Sequence, residues 1–211
     1  MAISSISDFY QFSLYIFDLD NTIYKEEDYL YQAYAAIAGK FADLIPSYDK
    51  EQLFRLMKNT FEDQGRKKLF NKFLASVNFD NSYLSECLDI LRSFVPEKPI
   101  EINRNVNSIL FDLINRNKKI FVLTNGNAEQ QKNKIRHINW KGLDSHIHFV
   151  FAEEIEPKPS PAGVLYILQI SGIEKNNTVF VGDSETDKVS ALKSGVNYLD
   201  VNSLPVSGSY R

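Results

Sequence analysis

The chain has 211 residues, 44% hydrophobic and 24% charged, with a net charge of −3; this is the composition of a folded globular protein with room for one sizeable core and a smaller accessory unit. The charge balance excludes a global basic field that would collect a nucleic-acid polymer. Its single cysteine, Cys87, excludes an internal disulfide framework and a multi-thiolate zinc site, and suits a reducing compartment.

Residues 1–13 are polar with scattered aromatics and are expected to be an ordered lead-in at best. They carry no positive start and no long apolar core. Nor does any run of about 18 apolar residues occur later, so no membrane span is expected and a cytoplasmic location is. The apolar run Leu14-Tyr15-Ile16-Phe17 reads as a buried first strand. From residue 26 to 95 the pattern changes to helical spacing with few β-branched residues. Leu30, Tyr34, Ile37, Phe41 and Leu44 mark one helix. Leu53, Met57 and Phe61 mark a second, with Asp49 as its cap and Gln52 three residues on. Leu69, Phe70, Phe73, Leu74 and Val77 mark a third, and Leu84, Cys87, Leu88 and Leu91 a fourth, with Ser82 as its candidate cap. Four helices of this size make a small bundle.

Pro96-Glu97-Lys98-Pro99 breaks the helical pattern and is expected to be the linker back to the core. Helix and strand then alternate. An amphipathic helix carries Ile102, Val106, Ile109, Leu110, Leu113 and Ile114; Lys119-Ile120-Phe121-Val122-Leu123 is a buried strand. A helix over 128–139, a strand over 148–152 and a helix over 161–170 follow. Thr178-Val179-Phe180-Val181 is another buried strand, the helix after it is closed by Gly195, and a last strand spans 197–201 before a polar tail. The fold class predicted is α/β: a doubly wound, mostly parallel, Rossmann-like sheet core formed by residues 1–25 and 96–211, with a helical cap inserted as residues 26–95.

Asp18 and Asp20 follow the first strand directly, in the crevice where open α/β sheets bind ligands. Two apart, they point to the same side while the chain stays extended. Neighbouring carboxylates cannot both ionise freely, which favours a division of labour between them. The stretch Tyr15-Ile16-Phe17-Asp18-Leu19-Asp20-Asn21-Thr22-Ile23-Tyr24 resembles the first motif of the haloacid dehalogenase-like (HAD) superfamily, most of whose members are magnesium-dependent phosphohydrolases. Three further fragments match the remaining motifs in order: Thr124-Asn125-Gly126, Lys158 within Pro157-Lys158-Pro159-Ser160-Pro161, and Gly182-Asp183-Ser184-Glu185-Thr186-Asp187.

The resemblance implies Asp18 as the nucleophile that forms an aspartyl phosphate and Asp20 as the acid that protonates the leaving oxygen and then activates water. It implies Thr124, Asn125 and Gly126 as the phosphate-holding turn. Lys158 would balance the charge of Asp18 and phosphate, from a loop leading into a helix with Ser160 as cap and Pro161 as first residue. A Mg2+ cofactor would be held by Asp18, the backbone carbonyl of Asp20 and Asp183, with Asp187 at one remove.

The helical insertion resembles a C1-type cap. The function expected is therefore a phosphomonoesterase acting on a small soluble phosphorylated metabolite, a nucleotide or a sugar phosphate, and the wording of the first motif is similar to the pyrimidine 5'-nucleotidase branch. A phosphotransferase such as a hexose phosphate mutase needs the same carboxylate pair and is the near alternative. A dehalogenase needs no acid at the position of Asp20, and a non-catalytic phosphometabolite-binding module would be marked by loss of a motif residue. Elsewhere, Cys87 reads as packing, His146 and His148 as strand-edge residues without a third ligand, and Arg116, Lys118 and Lys119 as a solvated helix end. Arg66, Lys67 and Lys68 read as a solvated helix start, with the cap pocket as the competing role.

Overall fold

The computed structural model describes residues 6–204. Leu14–Phe17 (β1) is a strand with all four side chains buried, as a continuous apolar run must be when both faces of a parallel sheet are covered. Lys119–Thr124 (β3) lies parallel on one side of it and Thr178–Gly182 (β6) on the other, with Phe17 opposite Val122 and Val181. Ile147–Phe151 (β5) and Asn197–Asp200 (β7) complete a five-stranded parallel sheet in the order β5-β3-β1-β6-β7. The chain builds outward from β1 through β3 to β5 and then crosses back to β6, so the carboxyl end of β1 lies at the topological switch point.

On one face of the sheet Leu14, Ile16, Phe121, Leu123 and Phe180 pack against Val164 and Ile167 of Ala162–Ser171 (α8) and Ala191 of Glu185–Ser194 (α9). Tyr15 alternates to the other side, where its ring meets Phe9 edge to face at 5.1 Å and its hydroxyl donates to the Phe9 carbonyl at 2.6 Å. The lead-in is therefore more than a tail: Ile6–Tyr10 (α1) is helical, and Phe9 and Phe12 are buried. Ile102 stands outside the amphipathic helix predicted for it. That helix, Arg104–Asn115 (α6), is capped by Asn103, whose side chain accepts from the Asn105 amide, and buries Val106, Ile109, Leu110 and Leu113.

The chain divides into two compact units, one made of Glu27–Ile100 with Lys132–His137 and the other of the remaining described residues. The helical unit holds Lys50–Gln64 (α3), Leu69–Ser76 (α4), Leu84–Ser93 (α5) and all but the first residue of Glu26–Ala42 (α2). Asp49 and Gln52 form the expected capping box at the start of α3. Aromatic edges bind the bundle together: Tyr34 meets Phe61 and Phe70, and Phe41 meets Phe73, Phe79 and Tyr83, all at centroid separations of 5.8–6.3 Å. Cys87 on α5 is fully buried, and burial pushes its thiol up to about 12, so it is packing and not a nucleophile.

Several local expectations are corrected. Ser82 does not cap the fourth helix; Asp80 accepts from the Ser82 amide and starts a 3-10 turn, Asn81–Tyr83, that runs into α5. Leu44 lies beyond the end of α2 and is exposed. The Pro96 to Pro99 stretch belongs with the helices, because the Gln32 side-chain amide pairs with both the N–H and the carbonyl of Lys98 at 2.9 and 3.2 Å. Ala128–His137 (α7) ends two residues early, and Ile138–Asn139 (β4) forms a separate two-stranded sheet with Ile100–Glu101 (β2). No helix among the described residues is long and apolar enough to cross a membrane.

Candidate active site

Two of the four predicted motif fragments sit at the carboxyl ends of adjacent strands, β1 and β3, and a third closes β6 and leads into α9. The fourth, around Lys158, leads into α8. Here the Asp18 amide still donates to the Val181 carbonyl at 2.9 Å, extending the sheet by one residue past β1. The chain then turns sharply. Asn21 adopts a left-handed conformation at φ 57°, the Ile23 amide closes onto the Leu19 carbonyl at 2.9 Å, and the Asn21 side chain accepts from the Glu26 amide; asparagine tolerates this region better than other side chains that carry a Cβ. The reversal brings Tyr24 beside Asp20.

The two carboxylates consequently have different surroundings. Asp18 is buried and receives the Lys158 ammonium at 2.5 Å. Burial raises its carboxyl to about 7; Lys158 opposes the rise, while Asp187 and Asp20 reinforce it. Asp20 instead accepts the Tyr24 hydroxyl on Oδ1 at 2.5 Å and the Gln131 amide on Oδ2 at 3.1 Å.

Lys158 uses its three protons within the site. Besides Asp18 it donates to the Leu123 carbonyl at 2.9 Å, and its Nζ lies 2.7 Å from Asp187 Oδ1. Burial works against the charged ammonium, but the two carboxylates together outweigh it and leave the pKa raised. The lysine backbone is held just as firmly: Asn125 Oδ1 accepts from its N–H at 2.8 Å and Asn125 Nδ2 donates to its carbonyl at 2.9 Å. The side chain of Asn125, predicted to serve phosphate with its turn, is thus occupied in fixing Lys158. Gly126 sits at φ 101°, a conformation that favours glycine. The helix cap predicted at Ser160 is displaced by one residue, since Pro161 occupies the cap position and the Ser160 hydroxyl accepts from the Ala162 amide at 3.2 Å.

The loop after β6 is built around Asp187. Its carboxylate completes a capping box with Ser184 at the start of α9, accepting the Ser184 hydroxyl at 2.6 Å and its amide at 3.1 Å. Gly182 is required here by space: a Cβ would lie 2.6 Å from Asp187 Oδ2. Asp187 Oδ1 is buried, and among the described residues its partner is the Lys158 ammonium at 2.7 Å. Burial raises the carboxyl of the more exposed Asp183, with Asp187 adding to the effect.

Carboxylate oxygens of Asp18, Asp183 and Asp187 lie within 4.8 Å of one another. Three carboxylates against one ammonium leave an excess of oxygen donors and negative charge, and this donor set fits a hard divalent cation. The side chain of Asp20 is not part of this group, because it is turned to Tyr24 and Gln131. His146 ends a 3-10 turn and His148 stacks on Phe121 along edge strand β5, away from any cluster of metal-binding groups among the described residues.

Gln131 and Tyr24 went unremarked in the sequence as site residues. Gln131 Nε2 on α7 shares its two protons among three acceptors, Asp20 Oδ2 at 3.1 Å, Thr124 Oγ1 at 2.7 Å and the Asn125 carbonyl at 2.6 Å. A readable signal existed: it follows Ala128 by three on the buried face of its helix, where a polar side chain needs a partner.

Solved structures share this architecture. A HAD-superfamily hydrolase of subfamily IA from Geobacter sulfurreducens matches with a TM-score of 0.65 at 22% identity, over 93% of this chain and 90% of that one. A hydrolase from Streptococcus pneumoniae matches with a TM-score of 0.55 at 16% identity, over 90% and 92%. At these identities the likeness is one of fold. Among curated proteins, phosphoglycolate phosphatase 1 of Pseudomonas aeruginosa is 42% identical over 41 residues, and a probable phosphoglycolate phosphatase of Pseudomonas putida is 39% identical over 41. Those stretches span 19% of this chain and only 15% and 16% of the two relatives. The family model for haloacid dehalogenase-like hydrolases matches residues 15–201, from the first strand to the end of the last. A match of that extent, running through all four strand-end and loop fragments, means that the chain belongs to the haloacid dehalogenase-like hydrolase family.

Proposed function

We propose that the protein is a phosphomonoester hydrolase that works through an aspartyl-phosphate intermediate on a small soluble phosphate, in the class of nucleotides and sugar phosphates. The observation that carries this reading is the unequal environment of two carboxylates two residues apart: Asp18 against an ammonium and Asp20 between two neutral hydrogen-bond donors. Asp18 Oδ attacks phosphorus while the ester oxygen departs with a proton from Asp20. A water then gives its proton to Asp20 and attacks the aspartyl phosphate, releasing inorganic phosphate and restoring Asp18. Thr124 and the backbone amides of its turn hold phosphoryl oxygens, and Lys158 offsets their charge.

The cation suited to the oxygen donors is Mg2+, which Asp18, Asp183 and the Asp20 carbonyl would hold, with Asp187 at one remove; it would supply positive charge that favours ionised Asp18 and neutralises phosphate. Two curated relatives named as phosphoglycolate phosphatases support a small organic phosphate as substrate. The groups named so far treat only the phosphoryl end, so choice of leaving group falls to the inserted helices of residues 26–95, acting as a cap.

The test is phosphate release from nucleoside 5'-monophosphates, sugar phosphates and phosphoglycolate, with Mg2+ and after chelation. Asp18→Asn should lose several orders of magnitude on every ester hydrolysed. A variant within about tenfold of the parent removes Asp18 from the nucleophile's role, and undiminished activity after exhaustive chelation removes the cation.

A further inference from the structure

Resting on the hydrolase reading above, we propose that Tyr24 and Gln131 are positioning residues that fix the carboxylate of Asp20 for proton transfer to the leaving group. Both oxygens of Asp20 are engaged, Oδ1 by the Tyr24 hydroxyl and Oδ2 by the Gln131 amide, so its plane is held at two points. Neither contact is a by-product of packing. The Tyr24 ring is buried at 1% exposure, and the left-handed Asn21 turn places its hydroxyl over a carboxylate only four residues earlier in the chain. Gln131 is 2% exposed, and its buried Oε1 has no hydrogen-bond partner among the described residues. A methionine of similar size would fill the same space without that cost, so the amide is present for what its nitrogen holds.

What Nε2 holds is also informative. The same nitrogen reaches Asp20, the Thr124 hydroxyl and the Asn125 carbonyl, and the side chain passes 3.6 Å from where a Cβ on Gly126 would stand. Gln131 therefore underlies the phosphate-holding turn and ties it to Asp20, setting the separation between the phosphoryl pocket and the proton donor. Tyr24 contacts Asp20 on the other oxygen. The two residues should then separate kinetically. Loss of the Tyr24 hydroxyl frees one side of Asp20 alone, whereas loss of the Gln131 amide frees Asp20 and also loosens the turn.

Tyr24→Phe and Gln131→Met keep the volume of each side chain. They are to be compared on the best alkyl phosphate found for the parent and on p-nitrophenyl phosphate, whose leaving group needs little protonation. Tyr24→Phe should lower kcat on the alkyl ester by on the order of a hundredfold with KM and p-nitrophenyl phosphate turnover nearly unchanged. Gln131→Met should lower kcat on the alkyl ester to a similar degree and, unlike Tyr24→Phe, raise KM for both esters. Equal losses on the two esters, or no loss on either, overturn the assignment. Crystal structures of the parent and the double variant supply a readout independent of activity. Asp20 should leave its present orientation in the double variant; an unmoved carboxylate overturns the inference. If the parent hydrolyses neither ester the hydrolase reading falls, and the crystallographic comparison still decides the positioning.

Discussion

Replacing Asp18 by asparagine should stabilise the cation-free protein, and by an amount that grows with pH. Burial and two neighbouring carboxylates outweigh Lys158 and raise Asp18 from 3.8 to about 7. A carboxyl whose pKa is higher folded than unfolded holds its proton more tightly in the folded chain, so it favours folding fully below the unfolded value and loses that contribution as pH rises through the folded one. The interval of about three pH units, at about 1.4 kcal/mol each, makes ionised Asp18 a cost of about 4 kcal/mol above pH 7. Asparagine has the shape of the protonated acid and retains an oxygen for Lys158. Urea denaturation in chelator should therefore show parent and variant nearly equal near pH 4, with the variant ahead by about 4 kcal/mol at pH 8. Added Mg2+ should close the gap by stabilising the parent through mass action. A difference that is flat across pH, or that favours the parent at pH 8 without cation, would refute the reasoning, because it would mean that Lys158 fully compensates the buried charge.

Asp20→Asn should reduce turnover of alkyl phosphates far more than that of p-nitrophenyl phosphate, by on the order of a hundredfold or more; matched losses on both would contradict its role as acid. Asp183→Ala should weaken the Mg2+-induced rise in Tm while leaving the Tm of the cation-free protein nearly unchanged, since Asp183 is an exposed residue within the carboxylate group. Gly182→Ala puts a methyl 2.6 Å from Asp187 Oδ2 and 2.7 Å from its Cβ and Cγ; thermal denaturation should show a loss of about 1–3 kcal/mol from overpacking, and activity should fall as Asp187 is pushed off Lys158. An alanine that leaves both unchanged would show that the α9 loop can yield.

The basic run of the helical unit lies between α3 and α4. Arg66, Lys67 and Lys68 are all exposed in the loop that precedes α4, with Lys68 left-handed at φ 56°.

The elements legible in the sequence by itself are those whose causes are local. β1 is four apolar residues between polar neighbours. The Asp49 and Gln52 box closes over three residues, and Gly195 ends α9 in a left-handed conformation at φ 76° that a Cβ would resist. The placement of Asp18, Thr124 and Asp183 at strand ends follows from the same periodicity, because a carboxylate or hydroxyl after a buried parallel strand has one crevice to face. Tertiary structure alone decided which groups those residues meet. Lys158 reaches Asp18 across 140 positions, Gln131 reaches Asp20 across 111, and Asn125 grips the Lys158 backbone across 33. The docking of Phe9 under Tyr15 and the pinning of Lys98 by Gln32 are of the same kind. The first three depend on the crossover that lays β3 and β6 on either side of β1. Propensity and spacing act over a turn or a strand, whereas these partners are set by where parallel strands deliver their ends.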